Sequence, residues 1–116
     1  MLNKVLLIGR LTADPELRYT TAGTPLGTFT LAVRRPYAQE EQPDTDFIDV
    51  VLWRKTAEVC AEHLTKGRMV AVEGWLQLRK WEGSDGRKRR ALEVVAQGVQ
   101  FLDRPSAPET LGESVG

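Results

Sequence analysis

The sequence predicts an all-β fold, five strands coiled into a small Greek-key barrel, with one short helix between the third and fourth strands. Three observations carry this. Strand-like runs alternate at a period of two or are continuously apolar, one run has helical spacing, and glycine, proline and acidic clusters separate them. At 116 residues, 41% hydrophobic and 28% charged, the chain is the size of one domain with its own core.

The first strand, NKVLLIGRL, is apolar on both faces and carries Gly9 near its end, as a buried curved strand would. DPEL then breaks it as a turn. The second strand, LGTFTLAVRR, follows Gly23 and Pro25 and sets Phe29, Leu31 and Val33 on one face, Thr28 and Thr30 on the other. PYAQEEQPD, with two prolines and clustered acids, reads as a long connecting loop. FIDVVLW is the third strand, with Ile48, Val50 and Leu52 opposed to Phe47, Asp49, Val51 and Trp53. The period then changes. In TAEVCAEHLTKG, Ala57, Cys60, Ala61 and Leu64 recur at helical spacing; Thr56 suits an N-cap, Glu58 the first turn and Gly67 the end. RMVAVEGWLQLRKW is the fourth strand, EGSDGR a hairpin loop and KRRALEVVAQGVQFL the fifth strand. DRPSAPETLGESVG has no burial pattern, so one domain is expected over residues 1–103 and a short disordered tail over 104–116. This strand order is that of a barrel of the oligonucleotide-binding type, its helix plugging one end; other small barrels share the pattern.

A single cysteine, Cys60, rules out an internal disulfide, no leader-like segment precedes the first strand, and charged residues or glycine interrupt every apolar run. A cytoplasmic chain with no membrane partner is expected. The net charge of zero is unevenly distributed. Residues 1–37 sum to +3, 38–49 to −5, 50–102 to +4 and 103–116 to −2. A basic body therefore carries an acidic loop and an acidic tail.

Catalytic constellations are thin. His63 is the only histidine and falls on the helix among Glu62, Leu64 and Lys66, a solvated position. Cys60 lies on the apolar stripe of the same helix and reads as core. Asp44, Asp46 and Asp49 straddle a loop and a strand without a metal-binding spacing, and the glycines form neither a dinucleotide fingerprint nor a phosphate loop. No catalytic residue, metal or cofactor is expected. What remains is aromatic residues interleaved with cations. Tyr37 follows Arg34 and Arg35, Phe47 and Trp53 share a strand face ahead of Arg54 and Lys55, and Trp81 follows Arg79 and Lys80. Unpaired bases stack on aromatic rings while lysine and arginine neutralise phosphates, so the mixture suits single-stranded nucleic acid without sequence readout.

In order and spacing the chain resembles the bacterial single-stranded DNA-binding proteins. The resemblance runs from residue 1 to about 102, through Asn3-Lys4-Val5, Gly9-Arg10-Leu11, Asp14-Pro15-Glu16-Leu17-Arg18-Tyr19, Thr30-Leu31-Ala32, Ala57-Glu58, Lys66-Gly67, Glu73-Gly74, Arg79-Lys80-Trp81 and Glu93-Val94. It implies base stacking at Tyr37, Phe47, Trp53 and Trp81, and phosphate contacts at Arg34, Arg54, Lys55, Arg79 and Lys80. It also implies a homotetramer, no cofactor, and a nucleoid-associated role in DNA replication, recombination, repair or uptake. Members of the family usually extend into a glycine-, proline- and glutamine-rich tail with an acidic tip ending in proline and phenylalanine. This sequence ends in LGESVG without that tip, as expected of a short form, so docking of other replication or repair proteins is left open. Two alternatives stand beside this reading: a primosomal-type dimer of the same fold acting through protein contacts, and a metal-dependent nuclease using the acidic loop. Trp75 departs from the family pattern, which has a smaller or more polar residue there. Six residues from Trp81, it shares that residue's face about 20 Å away along the strand, and is expected to meet another subunit or the outer packing of the barrel.

Overall fold

The computed structural model describes residues 1–37 and 44–103. In chain order the elements are β1 (Val5–Leu11), β2 (Glu16–Tyr19), β3 (Pro25–Arg34), β4 (Thr45–Trp53), α1 (Arg54–His63), β5 (Met69–Glu82) and β6 (Lys88–Phe101). The sheet runs β1-β5-β6-β4-β3-β2, and a further pairing of β1 with β3 closes a ring of five strands. All pairings are antiparallel except β4 with β6, which run parallel where Val50 and Val51 meet Val94 and Val95. The ring is the expected oligonucleotide-binding barrel. β2 lies outside it, paired only to β3.

Closure depends on β1 changing partners. It pairs with β5 from Val5 to Arg10 and with β3 at Arg10 and Leu11. At that bend Gly9 packs so closely that a Cβ would lie 2.3 Å from the Ala32 carbonyl oxygen, so only glycine fits. Inside the ring sit Leu11, Phe29, Leu31, Val50, Leu52, Val70, Val72, Val94 and Ala96. α1 presents Ala57 and Cys60, with Leu64 just beyond its last turn, and stops the barrel at one end. The free Cys60 thiol is raised to about 11 by burial, as a packing residue would be. After β6 the backbone is tied down at Asp103, whose carboxylate accepts from Arg68 Nε at 2.9 Å and from the Met69 N–H at 3.2 Å.

Three local expectations are corrected. Residues Glu16 and Leu17, expected within a turn, begin β2, because Glu16–Tyr19 pairs residue for residue with Thr28 back to Pro25. Thr56 is not the N-cap and Glu58 is not in the first turn. The chain turns straight from β4 into α1, so Trp53 is the N-cap, without a side-chain cap hydrogen bond. β1 is buried on one face only: Leu6 and Ile8 on its outer face are 68% and 56% exposed, because nothing among the described residues covers that side. The tail expected to be disordered and most of the acidic loop, residues 104–116 and 38–43, lie outside the described residues.

Candidate nucleic-acid interface

The outer face of β3 and β4 is built by register. Leu26 lies opposite Trp53, Thr28 opposite Val51, Thr30 opposite Asp49 and Ala32 opposite Phe47. Ala32 is too small to cover Phe47, which is 68% exposed, whereas Trp53, opposite Leu26, is 39% exposed. Six residues of extended strand put about 20 Å between Phe47 and Trp53, the span of several nucleotides. Between them the surface sinks into an open groove of about 630 Å³, walled by β2, β3, β4 and the start of the β5–β6 hairpin.

This groove holds more acid than its role would suggest, but each carboxylate has a donor. Asp14 accepts from the Lys66 N–H at 2.8 Å, Glu16 from Arg18 at 3.4 Å, Asp49 from the Thr30 hydroxyl at 3.0 Å and Glu93 from Arg79 Nε at 3.2 Å. Arg18 and Arg79 match two of these charges, while the amide and hydroxyl donors leave Asp14 and Asp49 ionic, so the hydrogen-bonded floor stays net acidic and suits base edges and rings rather than phosphates.

Cations stand at the rim. Arg54 and Lys55 open α1, where no acidic residue and no side-chain cap balance the exposed N–H groups. Arg54 also adopts φ +58°, a left-handed conformation costly for a residue with a Cβ. Uncapped amides, two cations at the positive end of a helix and a strained backbone are all unfavourable locally, and an external anion would relieve the first two. Arg34, at the end of β3, is mostly exposed and only loosely paired to Asp44 at 3.4 Å. Its neighbour Arg35 is committed, gripping both carboxylate oxygens of Asp46 through Nε and Nη2 at 2.9–3.1 Å. The hydrogen bonds and charge of Arg35 hold the Asp46 carboxyl below its ordinary range.

Beyond the barrel, β5 and β6 continue as a hairpin whose alternation divides the Arg79-Lys80-Trp81 run. Arg79 faces Ala91 and Trp81 faces Arg89 on one side; Lys80 faces Arg90 on the other. The Arg79 guanidinium carbon lies 4.1 Å from the Trp81 ring centroid. Lys80 and Arg90 are like charges directly opposite each other, an unfavourable cross-strand pair, and neither makes an ion pair among the described residues. With Lys88 and Arg89 they line a depression of about 570 Å³ beside Trp81. The run Arg87 to Arg90 does not stand out in the sequence, which divides it between the hairpin loop, ending at Arg87, and the fifth strand, beginning at Lys88. Four consecutive cations after a turn were the signal, because alternation puts charge on both faces of such a strand.

The expected site residues therefore fall into groups. Trp53 lines the groove with Arg79, Phe47 lies further along the β4 face, and Arg54 and Lys55 stand where β4 passes into α1. Trp81 and Lys80 belong to the hairpin depression. Tyr37 is set apart beyond β3, 98% exposed, with φ +59°. Trp75 is half-buried opposite Val95, on the same strand face as Arg79 and Trp81. The acidic triplet does not converge. Asp46 and Asp49 occupy opposite faces of β4 and Asp44 pairs with Arg34; among the described residues no three groups of metal-binding type gather. His63 is exposed, its Nε2 3.8 Å from the Glu62 carboxylate.

Comparison with known proteins gives the family. A family model described as the single-strand binding protein family matches residues 2–102. A single-stranded DNA-binding protein of Caldanaerobacter subterraneus subsp. tengcongensis is 55% identical over 107 residues, covering 91% of this chain and 71% of its own. Single-stranded DNA-binding protein 3 of Listeria innocua is 53% identical over 105 residues, 89% of this chain and 65% of its own. A single-stranded DNA-binding protein of Bacillus cereus is 51% identical over 104 residues, 89% of this chain. The chain spans 61% of that last relative's length.

Proposed function

The chain belongs to the single-strand binding protein family, and on that premise we propose that it binds single-stranded DNA without reading its sequence. Bases stack on Trp53, Phe47, Trp81 and Tyr37 while cations along the rim meet the phosphates. The observation that carries this is the β3–β4 face. Exposed aromatic rings flank a groove whose carboxylates are already hydrogen-bonded, and Arg54 and Lys55, which make no ion pair among the described residues, lie outside it. A duplex hides the faces of its bases, so rings arranged in this way favour an unpaired strand. The protein acts by binding and organising DNA during replication, recombination, repair or uptake, not by catalysis. No helix among the described residues is long and apolar enough to cross a membrane. We place its action in the cytoplasm, on the nucleoid.

The assembly we propose is a homotetramer. Its support is the apolar outer surface of β1, where Leu6 and Ile8 lie opposite Glu73 and Ala71 of β5 with no cover among the described residues. Single-stranded DNA wound around such an assembly meets the hairpins of several subunits together. A primosomal-type dimer differs in mass, so light scattering of the purified protein separates the two. The direct test of function is a tryptophan-fluorescence titration with single- and double-stranded oligonucleotides at several salt concentrations. Quenching by the single strand, with affinity falling as salt rises, is expected. Equal affinity for the duplex refutes the reading, and magnesium-dependent loss of the oligonucleotide supports the nuclease instead.

A further inference from the structure

Within that proposed DNA-binding role, we infer that Glu93 is a positioning residue: it pins Arg79 across one face of Trp81, making Arg79 the backing of a base-stacking platform instead of a phosphate contact. Glu93 is the one charged residue buried among the described residues, 7% exposed. Its carboxylate accepts from Arg79 Nε at 3.2 Å, and the same guanidinium lies over the Trp81 ring with its carbon 4.1 Å from the centroid. Local sequence makes this possible. Arg79 and Trp81 share a strand face, Glu93 stands diagonally across from Arg79, and the residue directly opposite Arg79 is Ala91, too small to block the guanidinium on its way to Glu93.

Two consequences follow from the geometry. One face of the Trp81 indole is already covered, so an incoming base has only the other face, and the finished stack is guanidinium, indole, base. Arg79 is also already neutralised. Swinging out to a phosphate would strand a buried carboxylate, which costs more than an exposed ion pair returns, so Arg79 stays and releases no counterion when DNA binds.

The salt dependence of binding to oligothymidylate, with log K plotted against log of sodium chloride concentration, tests this. Glu93→Gln removes the tie and makes Arg79 available to a phosphate, so the slope steepens by about 0.7 for each subunit engaged. Arg79→Gln added to Glu93→Gln returns the slope to the wild-type value. An unchanged slope in Glu93→Gln, or a slope in the double variant shallower than wild type by about 0.7 per subunit, overturns the inference. Arg79→Lys gives a second reading if Glu93→Gln does not fold. Lysine keeps the charge beside Glu93 but loses the flat surface against Trp81, so affinity falls several-fold at every salt concentration with the slope unchanged. Wild-type affinity in Arg79→Lys overturns the inference as well. Failure of the wild-type protein to bind oligothymidylate would instead refute the proposed function, so the two failures are distinguishable.

Discussion

Replacing Arg54 with glycine separates what this position costs the fold from what it gives to binding. The residue has φ +58° at the junction of β4 and α1, and a side chain with a Cβ pays about 1–2 kcal/mol in that region. Glycine adopts it freely but loses more backbone freedom on folding, which returns about 0.5–1 kcal/mol of the gain. The substitution also removes a cation from the positive end of a helix with no acidic residue in its first turn, worth about 0.3 kcal/mol. Arg54→Gly is therefore expected to be more stable by about 1 kcal/mol, a rise in Tm of about 4 °C for a domain of this size. The same change deletes one rim cation, so the salt slope for single-stranded DNA should become shallower by about 0.7 per subunit engaged. Thermal unfolding at a fixed protein concentration and a salt-dependent titration measure the two effects on one preparation. A Tm equal to or below that of the wild type refutes the strain argument, and an unchanged slope removes Arg54 from the phosphate contacts.

Other perturbations probe the remaining features. Trp81→Ala should weaken oligothymidylate binding by about 1–3 kcal/mol, roughly 5- to 150-fold, in a fluorescence or anisotropy titration. Gly74→Ala places a Cβ 1.9 Å from the Val95 carbonyl oxygen at the β5–β6 irregularity, and should cost about 3 kcal/mol in urea unfolding as the strands are forced apart. Burial raises the Asp103 carboxyl, but hydrogen bonds from Arg68 and the Met69 N–H, with the charges of Arg68 and Arg10, hold it below its ordinary value. Its stabilisation is thus complete above about pH 4 and lost as the pH falls through the lower folded value; Asp103→Asn should flatten the stability profile on that acid side. Ile8→Glu puts a charge on the exposed apolar face of β1 and should reduce the mass seen by light scattering before it alters the barrel.

Most of the architecture is legible in the residues. The alternation in LGTFTLAVRR and FIDVVLW assigns Phe29, Leu31, Val50 and Leu52 to the core and Phe47 and Trp53 to the surface, because strand side chains have no third direction to take. The α1 stripe of Ala57 and Cys60 is equally plain at helical spacing. β2 is not, since Glu-Leu-Arg-Tyr has no stronger strand propensity than a turn, and only its register with β3 makes it a strand.

By itself the sequence determined the residue types the site would use and the strands that would carry them, since periodicity and the pairing of rings with cations are local properties of the chain. Tertiary structure alone decided which of those residues meet. Neighbours in Arg79-Lys80-Trp81 are sent to opposite faces of a hairpin, while Arg79 and Glu93, fourteen positions apart, are brought within a hydrogen bond. Strand pairing sets contacts by register across the sheet, and no local pattern encodes which distant residue will stand beside a given side chain.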